Sequence, residues 1–399
     1  MCRSILTLFL FLFIFQSVAN VSVAANAEQV IHIAYLTREQ IPSAAMSNLD
    51  PFVPNKGFDG AQLAILDTNT TGKFTHQNYV LHPFTLAIDG SLVDIVAQQI
   101  AGKFDLLIVL LPSQDITTLA DLPAAKAMLI FDAASRDDAL RNEACRANVL
   151  HLLPSRAMRA DALGQYLMKK RWHKWFLVVG SAPEDQLAAE ALKRAAKRFN
   201  MKIVAEKNWE HTPDARRTAQ ADVAVFSQVD EDYDVLVVAD EQGLFGEYLD
   251  YRTWIPRPIV GTQGLTATAW HPTHEQWGAS QIQNRFQALA GRWMSEQDYG
   301  AYLAVRAIGE AATRTHSNQL QPIRDYLFSD KLALQGYKGN PLSFRAWDGQ
   351  LRQPVLLAAP RSLVAVAPIE GFLHPKTELD TLGFDQPEST CRMEKNNEK

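Results

Sequence analysis

The densest concentration of binding chemistry in the sequence is the run YRTWIPRPIVGTQGLTATAWHPTHEQW at residues 251–277. It places Trp254, Trp270 and Trp277 beside Tyr251, Arg252 and Arg257. Indole faces cover flat conjugated rings, and guanidinium forks take carboxylates through two parallel hydrogen bonds. A planar, conjugated, anionic ligand suits that combination; the ordinary alternative is tryptophans in the core and arginines in solvent. Three prolines, two glycines and two histidines make a long helix or a central strand unfavourable here. The pattern predicts a short strand at 258–261, then a loop opening into a helix near Thr273, with Trp277 inside that helix and packed in the core. His271 and His274 are three apart, but Pro272 between them disfavours a shared metal face, so they read as surface or cleft-rim side chains.

Further groups with binding chemistry sit where apolar runs end. Arg38 follows the run at 30–36, Ser113 follows LLIVLL at 106–111, and Ser135 and Arg136 follow AMLIF at 127–131. Ser155-Arg156 falls after a strand-like segment and Pro154, and Asp240-Glu241 ends DVLVVA at 234–239. Each has a plainer use: a solvated arginine, or a carboxylate capping a helix. Asp240 and Glu241 could otherwise clamp a ligand amine or a metal. Lys338, Arg345, Trp347 and Arg352 read as solvated strand faces that could add charge to a cleft, and Trp172 and Trp175 as packing residues. Enzyme signatures are missing: no GxSxG elbow, no HExxH, no cysteine placed with a histidine as nucleophile, and neither a GxGxxG nor a Walker phosphate loop. A binding protein, not an enzyme, is the expectation, with no catalytic cofactor.

The elements that must position these residues follow from periodicity. Short, continuous apolar runs alternate with amphipathic stretches such as 55–69, 92–101, 160–170 and 185–199. Ser91 is a good cap for the second of these, and the turn chemistry of 68–72 closes the first. Uninterrupted apolar strands between helices mean parallel sheets covered on both faces. The fold class is α/β: two doubly wound, Rossmann-like lobes of about five strands each. Ligands of such lobes bind at the carboxyl ends of the strands, beside helix starts. Residues 342–368 read as strands, with Asp348-Gly349 as a hairpin turn.

The ends set the compartment. Arg3, the apolar run ILTLFLFLFIF at 5–15 and the small-residue site at 25–27 form a secretory signal peptide. At 399 residues, 47% hydrophobic and 21% charged, the chain is an ordinary globular protein with material for two cores. A net charge of −5 argues against nucleic acid and anionic membranes as partners. Without the signal, Cys145 and Cys391 remain; in an oxidising compartment they suggest one disulfide, with two free thiols as the alternative.

The whole mature chain, including GFDGAQLAILDTNTTG at 57–72, resembles type I periplasmic solute-binding proteins of ABC transporters, the branched-chain-amino-acid-receptor type. The resemblance implies three crossings between the lobes and a ligand trapped by hinge closure. It divides the chain into a signal peptide at 1–27, a first lobe from 28–153 plus 263–340, a second from 154–262 plus 341–370, and a tail at 371–399. It also implies that small hydroxyl-bearing loops hold the ligand; the matching segments are Leu111-Pro112-Ser113 and 132–136. Arg136 and the run at 251–277 depart from what a small zwitterion needs. The stretches FDAASRDDALR, HLLPSRAMRADALGQYL, WHPTHEQWGASQIQNRF and LSFRAWDGQLRQP look like the subgroup associated with pyrroloquinoline quinone (PQQ) dependent alcohol oxidation.

The resulting expectation is a periplasmic protein holding PQQ, or another flat polyanion, between its lobes. Arg38, Arg136, Arg156, Arg252 and Arg257 are the candidate carboxylate partners, Trp254 and Trp270 the stacking plates, and Ser113 and Ser135 the hydroxyl donors. Two alternatives stand beside it. One is an amino-acid or small-acid receptor delivering to an ABC permease. The other is an accessory or sensor protein of a periplasmic quinoprotein dehydrogenase.

Overall fold

The computed structural model describes residues 28–40, 53, 55–210, 215–391 and 393. The signal segment expected at 1–27 lies outside them. In the first lobe β1 (Gln29–Arg38), α1 (Phe58–Thr75), β2 (Gln77–Leu86), α2 (Leu92–Ile95, continued by a π turn over Val96–Ile100), β3 (Leu106–Leu110), α3 (Ser113–Asp121), β4 (Leu129–Asp132) and β5 (Val149–His151) follow one another. Their five strands form a parallel sheet in the order β2-β1-β3-β4-β5. β3 is LLIVL with all five residues buried, as a strand covered on both faces requires.

The second lobe runs through α4 (Arg156–Lys170), β6 (Lys174–Val179), α5 (Pro183–Arg198), β7 (Lys202–Asn208), α6 (Ala215–Phe226), β8 (Val235–Ala239), α7 (Gly246–Leu249), β9 (Ile259–Gly261) and β10 (Leu265–Thr268). The chain then returns to the first lobe as α8 (Ala279–Ala290), α9 (Glu296–Thr315) and α10 (Leu320–Leu327), followed by the short strands β11 (Leu334–Gln335), β12 (Pro341–Phe344) and β13 (Leu351–Arg352). It ends in the second lobe with β14 (Val355–Ala359) and β15 (Ser362–Ala367). The second sheet has seven strands, ordered β15-β14-β10-β9-β8-β6-β7, and only β14 and β15 run antiparallel to their neighbours.

Several boundaries differ from the sequence reading. α1 does not close at 68–72 but continues to Thr75. Thr68 is buried against Gly309 of α9, and a side chain at Gly72 would collide with the Gln77 carbonyl, so tertiary contact uses these turn-forming residues in a helix. The expected return to the first lobe at residue 263 is later. Gly264, at φ 70° and pressed on the Ile259 carbonyl, turns the chain straight back into the same sheet as β10. Residues 341–352, expected in the second lobe, pack in the first: Leu342, Phe344 and Leu351 join the core formed by β1, β3, α1 and α9. Asp348-Gly349 does make the turn, but the returning strand is only Leu351–Arg352, because β14 leaves for the other sheet.

The three crossings between lobes meet in a polar knot. Buried Lys338 donates to the Ala269 carbonyl (2.9 Å), Gln353 Oε1 (2.7 Å) and the Pro354 carbonyl (2.7 Å), and Gln353 Nε2 donates to the Leu152 carbonyl. The tail is pinned across both lobes. Asp380 accepts from Arg345 and Arg352, the Gly383 carbonyl accepts from Arg194 and Arg198, and Cys391 is disulfide-bonded to Cys145 with sulfurs 2.03 Å apart. Arg345 and Lys338 are therefore interior residues, not solvated strand faces. No helix among the described residues is long and apolar enough to cross a membrane.

Candidate functional site

In each sheet the direction of strand addition reverses once, between β1 and β3 in the first lobe and between β6 and β8 in the second. Loops diverge at such a point and leave a crevice at the carboxyl ends. A cavity of about 860 Å³ opens there. One wall holds Arg38 at the end of β1, Ser113 at the start of α3, and Ser135 and Arg136 after β4; the other holds Arg156, Glu184 and Glu241. Tyr35 and Phe58, edge to face with ring centres 5.5 Å apart, add an aromatic patch. A second cavity of about 310 Å³ shares Arg136, Arg156 and Glu241 with the first, and extends between α4, α5 and the 261–268 segment of the second lobe.

The local sequence explains how the first wall is built. Pro112 gives α3 no capping side chain, and among the described residues the amides of Ser113, Gln114 and Asp115 meet no acceptor. Ser135 Oγ lies 3.0 Å from Ser113 Oγ. The loop bearing Ser135 is held by Asp132, whose carboxylate accepts from the Ala134 and Ser135 amides at 3.1 and 2.8 Å. Unpaired amides at a helix start beside two hydroxyls form a receptor for an anionic oxygen.

The charges are mostly committed to one another. Arg38 donates to Asp115 (2.7 Å) and to the carbonyls of Ala87 and Ile88. Arg156 grips both Glu241 oxygens, at 2.9 and 2.7 Å. Glu296, at the start of α9, receives Arg136, Arg159 (2.7 Å), Thr268 Oγ1 (2.9 Å) and the Ala269 amide (3.3 Å). Burial alone would hold a proton on Glu296; Arg136 and Arg159 outweigh it and keep the carboxyl well below its ordinary range. Arg136 commits only Nη2, and among the described residues its Nε and Nη1 meet no acceptor. Asp240 is neither an amine clamp nor a metal ligand here: its buried carboxylate caps the amides of Leu244, Phe245 and Gly246 at 2.7–2.9 Å.

Of the run at 251–277 the 261–268 segment lines the smaller cavity, but the tryptophans and arginines expected to form a ligand wall line neither cavity. β9 is parallel to β8, so the chain must travel back to the amino end of the sheet before β9 begins. Trp254 and Arg257 precede β9 and lie on that return, away from the cleft. Trp254 is 63% exposed, its amide bonded to Ser227 Oγ, and Arg257 pairs with Asp232 at the surface. Arg252 donates to the Tyr248 carbonyl. Trp270 follows β10 into the first lobe and is buried: it stacks on Tyr299 at 4.7 Å and its indole N–H donates to Gln283. Trp277 precedes α8 at φ 58° and is 62% exposed, so it is not the core residue of a helix. His271 bonds Thr273 and His274 the Tyr337 carbonyl.

Sequence reasoning missed Arg159, Glu296 and Thr268. Arg156 and Arg159 are three apart, so one helix face carries both, which was a usable signal. Glu296 follows Ser295 in a capping box that reads as an ordinary helix start, and it gave none.

Architecture and site together define a two-lobed solute receptor, and comparison with known proteins agrees. Residues 55–361 match the family model described as periplasmic binding protein, and the chain belongs to that family. Among solved structures, a branched-chain amino acid ABC transporter periplasmic ligand-binding protein of Burkholderia xenovorans superposes with a TM-score of 0.68 at 17% identity, over 91% of this chain and 99% of that one. A solute-binding protein of R. palustris in complex with benzoate gives 0.65 at 11% identity, covering 91% and 99%. A branched-chain amino acid transporter substrate-binding protein of Streptococcus pneumoniae in complex with isoleucine gives 0.60 at 16%, covering 85% and 99%. No curated protein matches the chain. All three solved structures are of binding proteins of transporters.

Proposed function

We propose that the protein is the periplasmic receptor of an ABC importer, exported by its N-terminal segment, and that it captures a small organic carboxylate or amino acid between its lobes. The observation that carries this reading is the pairing of the uncapped start of α3 with the Ser113 and Ser135 hydroxyls inside the cleft. The ligand carboxylate replaces water on those donors, and closure of the second lobe brings Arg156, Glu184 and Glu241 over it. Relatives of the same fold whose structures hold benzoate or isoleucine support a ligand of that size.

PQQ is the second reading, favoured by the roomy outer cavity and its arginines. Three carboxylates would need three unpaired cations, whereas Arg38 and Arg156 already hold carboxylates of the protein. The tryptophans expected to cover its rings lie elsewhere. Isothermal titration of the mature protein against amino acids, benzoate and PQQ separates the readings. Replacing Ser113 and Ser135 together by Ala should weaken a small carboxylate at least tenfold, as loss of hydrogen bonds to a charged group implies. Tight binding of PQQ alone, visible as colour retained after desalting, would overturn the proposal.

A further inference from the structure

The smaller cavity has a character of its own. Beyond the Arg156–Glu241 pair its wall turns apolar: Ala160 and Leu163 of α4 face Ala188 and Leu192 of α5, all four buried. At about 310 Å³ it falls at the lower end of the range for small-molecule sites. Because Arg136, Arg156 and Glu241 line both spaces, a ligand whose head sits on Ser113, Ser135 and the open face of Arg136 has its far end directed at this chamber.

An inventory of free groups sharpens the choice of head. Among the described residues, donors without acceptors are present: the first amides of α3 and two nitrogens of Arg136. Acceptors at the junction are occupied: Glu241 by Arg156, Glu296 by Arg136 and Arg159, and Asp240 by three amides. The outer cavity's remaining carboxylates are exposed Glu39 and half-buried Glu184, which already accepts from Gln242. Among the described residues a ligand ammonium therefore meets no buried, unpaired carboxylate, while a carboxylate meets several unpaired donors.

We propose that the ligand is a monocarboxylic acid without an α-amino group, whose alkyl or aryl tail passes the Arg156–Glu241 pair and fills the Ala160–Leu163–Ala188–Leu192 chamber. This rests on the carboxylate-receptor reading above and narrows it to one class of acid. The chamber then selects tail length, and Arg136 together with the α3 start selects charge.

The test is titration of the mature protein with the straight-chain acids from acetate to octanoate, and with the pairs 3-phenylpropionate/phenylalanine and 4-methylpentanoate/leucine. Affinity should rise about fourfold per methylene until the chamber is full. Each acid should bind at least tenfold tighter than its amino counterpart. Ala188→Leu, which narrows the chamber, should flatten the length dependence, and Leu192→Ala, which enlarges it, should move the optimum to a longer acid; thermal melts verify that both variants fold. Affinity independent of tail length, or amino acids that bind as well as the acids and lose affinity in Glu184→Gln, would overturn the inference and leave the receptor reading standing if Ser113→Ala/Ser135→Ala still weakens binding. Failure of every acid and amino acid to bind would overturn both.

Discussion

Glu296 is the side chain whose loss should be felt most widely. Its two oxygens hold Arg136 of the first lobe, Arg159 of the second, the Thr268 hydroxyl and the Ala269 amide. Glu296→Gln keeps the size but leaves two largely buried guanidiniums sharing a neutral partner. Removing one member of a buried, hydrogen-bonded charge cluster typically costs about 3–5 kcal/mol. For a lobe of this size, at about 2–4 °C per kcal/mol, the melting midpoint should fall on the order of 10 °C. The pH dependence adds a second readout. The folded-state carboxyl is held below its unfolded value, so its stabilisation is complete above that value, about pH 4.3, and is lost as pH falls through the lower folded one. Wild type should therefore lose stability below about pH 4 with a component that Glu296→Gln lacks. Urea unfolding across pH 3–7 measures both. A variant within about 0.5 kcal/mol of wild type, with an unchanged acid limb, would refute the view that this carboxylate organises the junction of the lobes.

Three further outcomes are expected. Burial, with Arg159 nearby, pushes the Lys338 ammonium well below its ordinary range, so the unfolded chain binds the extra proton and wild-type stability should rise with pH towards about 10; Lys338→Met should lack that rise in denaturant titrations. Cys391→Ser removes the covalent tie between the tail and the first lobe and should cost about 2–5 kcal/mol in urea unfolding under oxidising conditions, while the same variant and wild type should coincide under reductant. Trp254→Ala and Arg257→Ala, on the return path to β9, should leave ligand affinity within twofold in calorimetry; a tenfold loss in either would restore the run at 251–277 as ligand wall.

Much of the scaffold was legible. LLIVLL and DVLVVA are strands because uninterrupted apolar residues suit only a sheet covered on both faces, and Ser91 caps α2 through its hydroxyl. The carboxyl-end rule put Arg38, Ser113, Ser135, Arg136 and Glu241 at strand ends, and these line the cavity, as does Arg156, expected at a crossing between the lobes. The same rule failed at Trp254 and Arg257 because it was applied to the wrong end of a strand: only pairing partners reveal that β9 is parallel to β8 and must be entered from the far edge. Trp270 looked like a plate because composition cannot distinguish an indole facing a ligand from one stacked on Tyr299.

By itself the sequence determined the compositional facts of this protein: an α/β chain with two cores, the strands and helices that build them, and the loops at strand ends where ligands gather. Periodicity and capping are local, so local residues suffice to state them. The tertiary structure alone decided which charges are spent and which are open. Arg156 and Glu241 are 85 positions apart, and Arg136 and Glu296 160 apart. No local pattern records that these pairs close on each other, or that Arg136 and the start of α3 keep donors that meet no acceptor among the described residues. That choice depends on distances set by the packing of two lobes, and it is the ground on which we propose a tailed acid over the quinone that the resemblance and the residue types suggested.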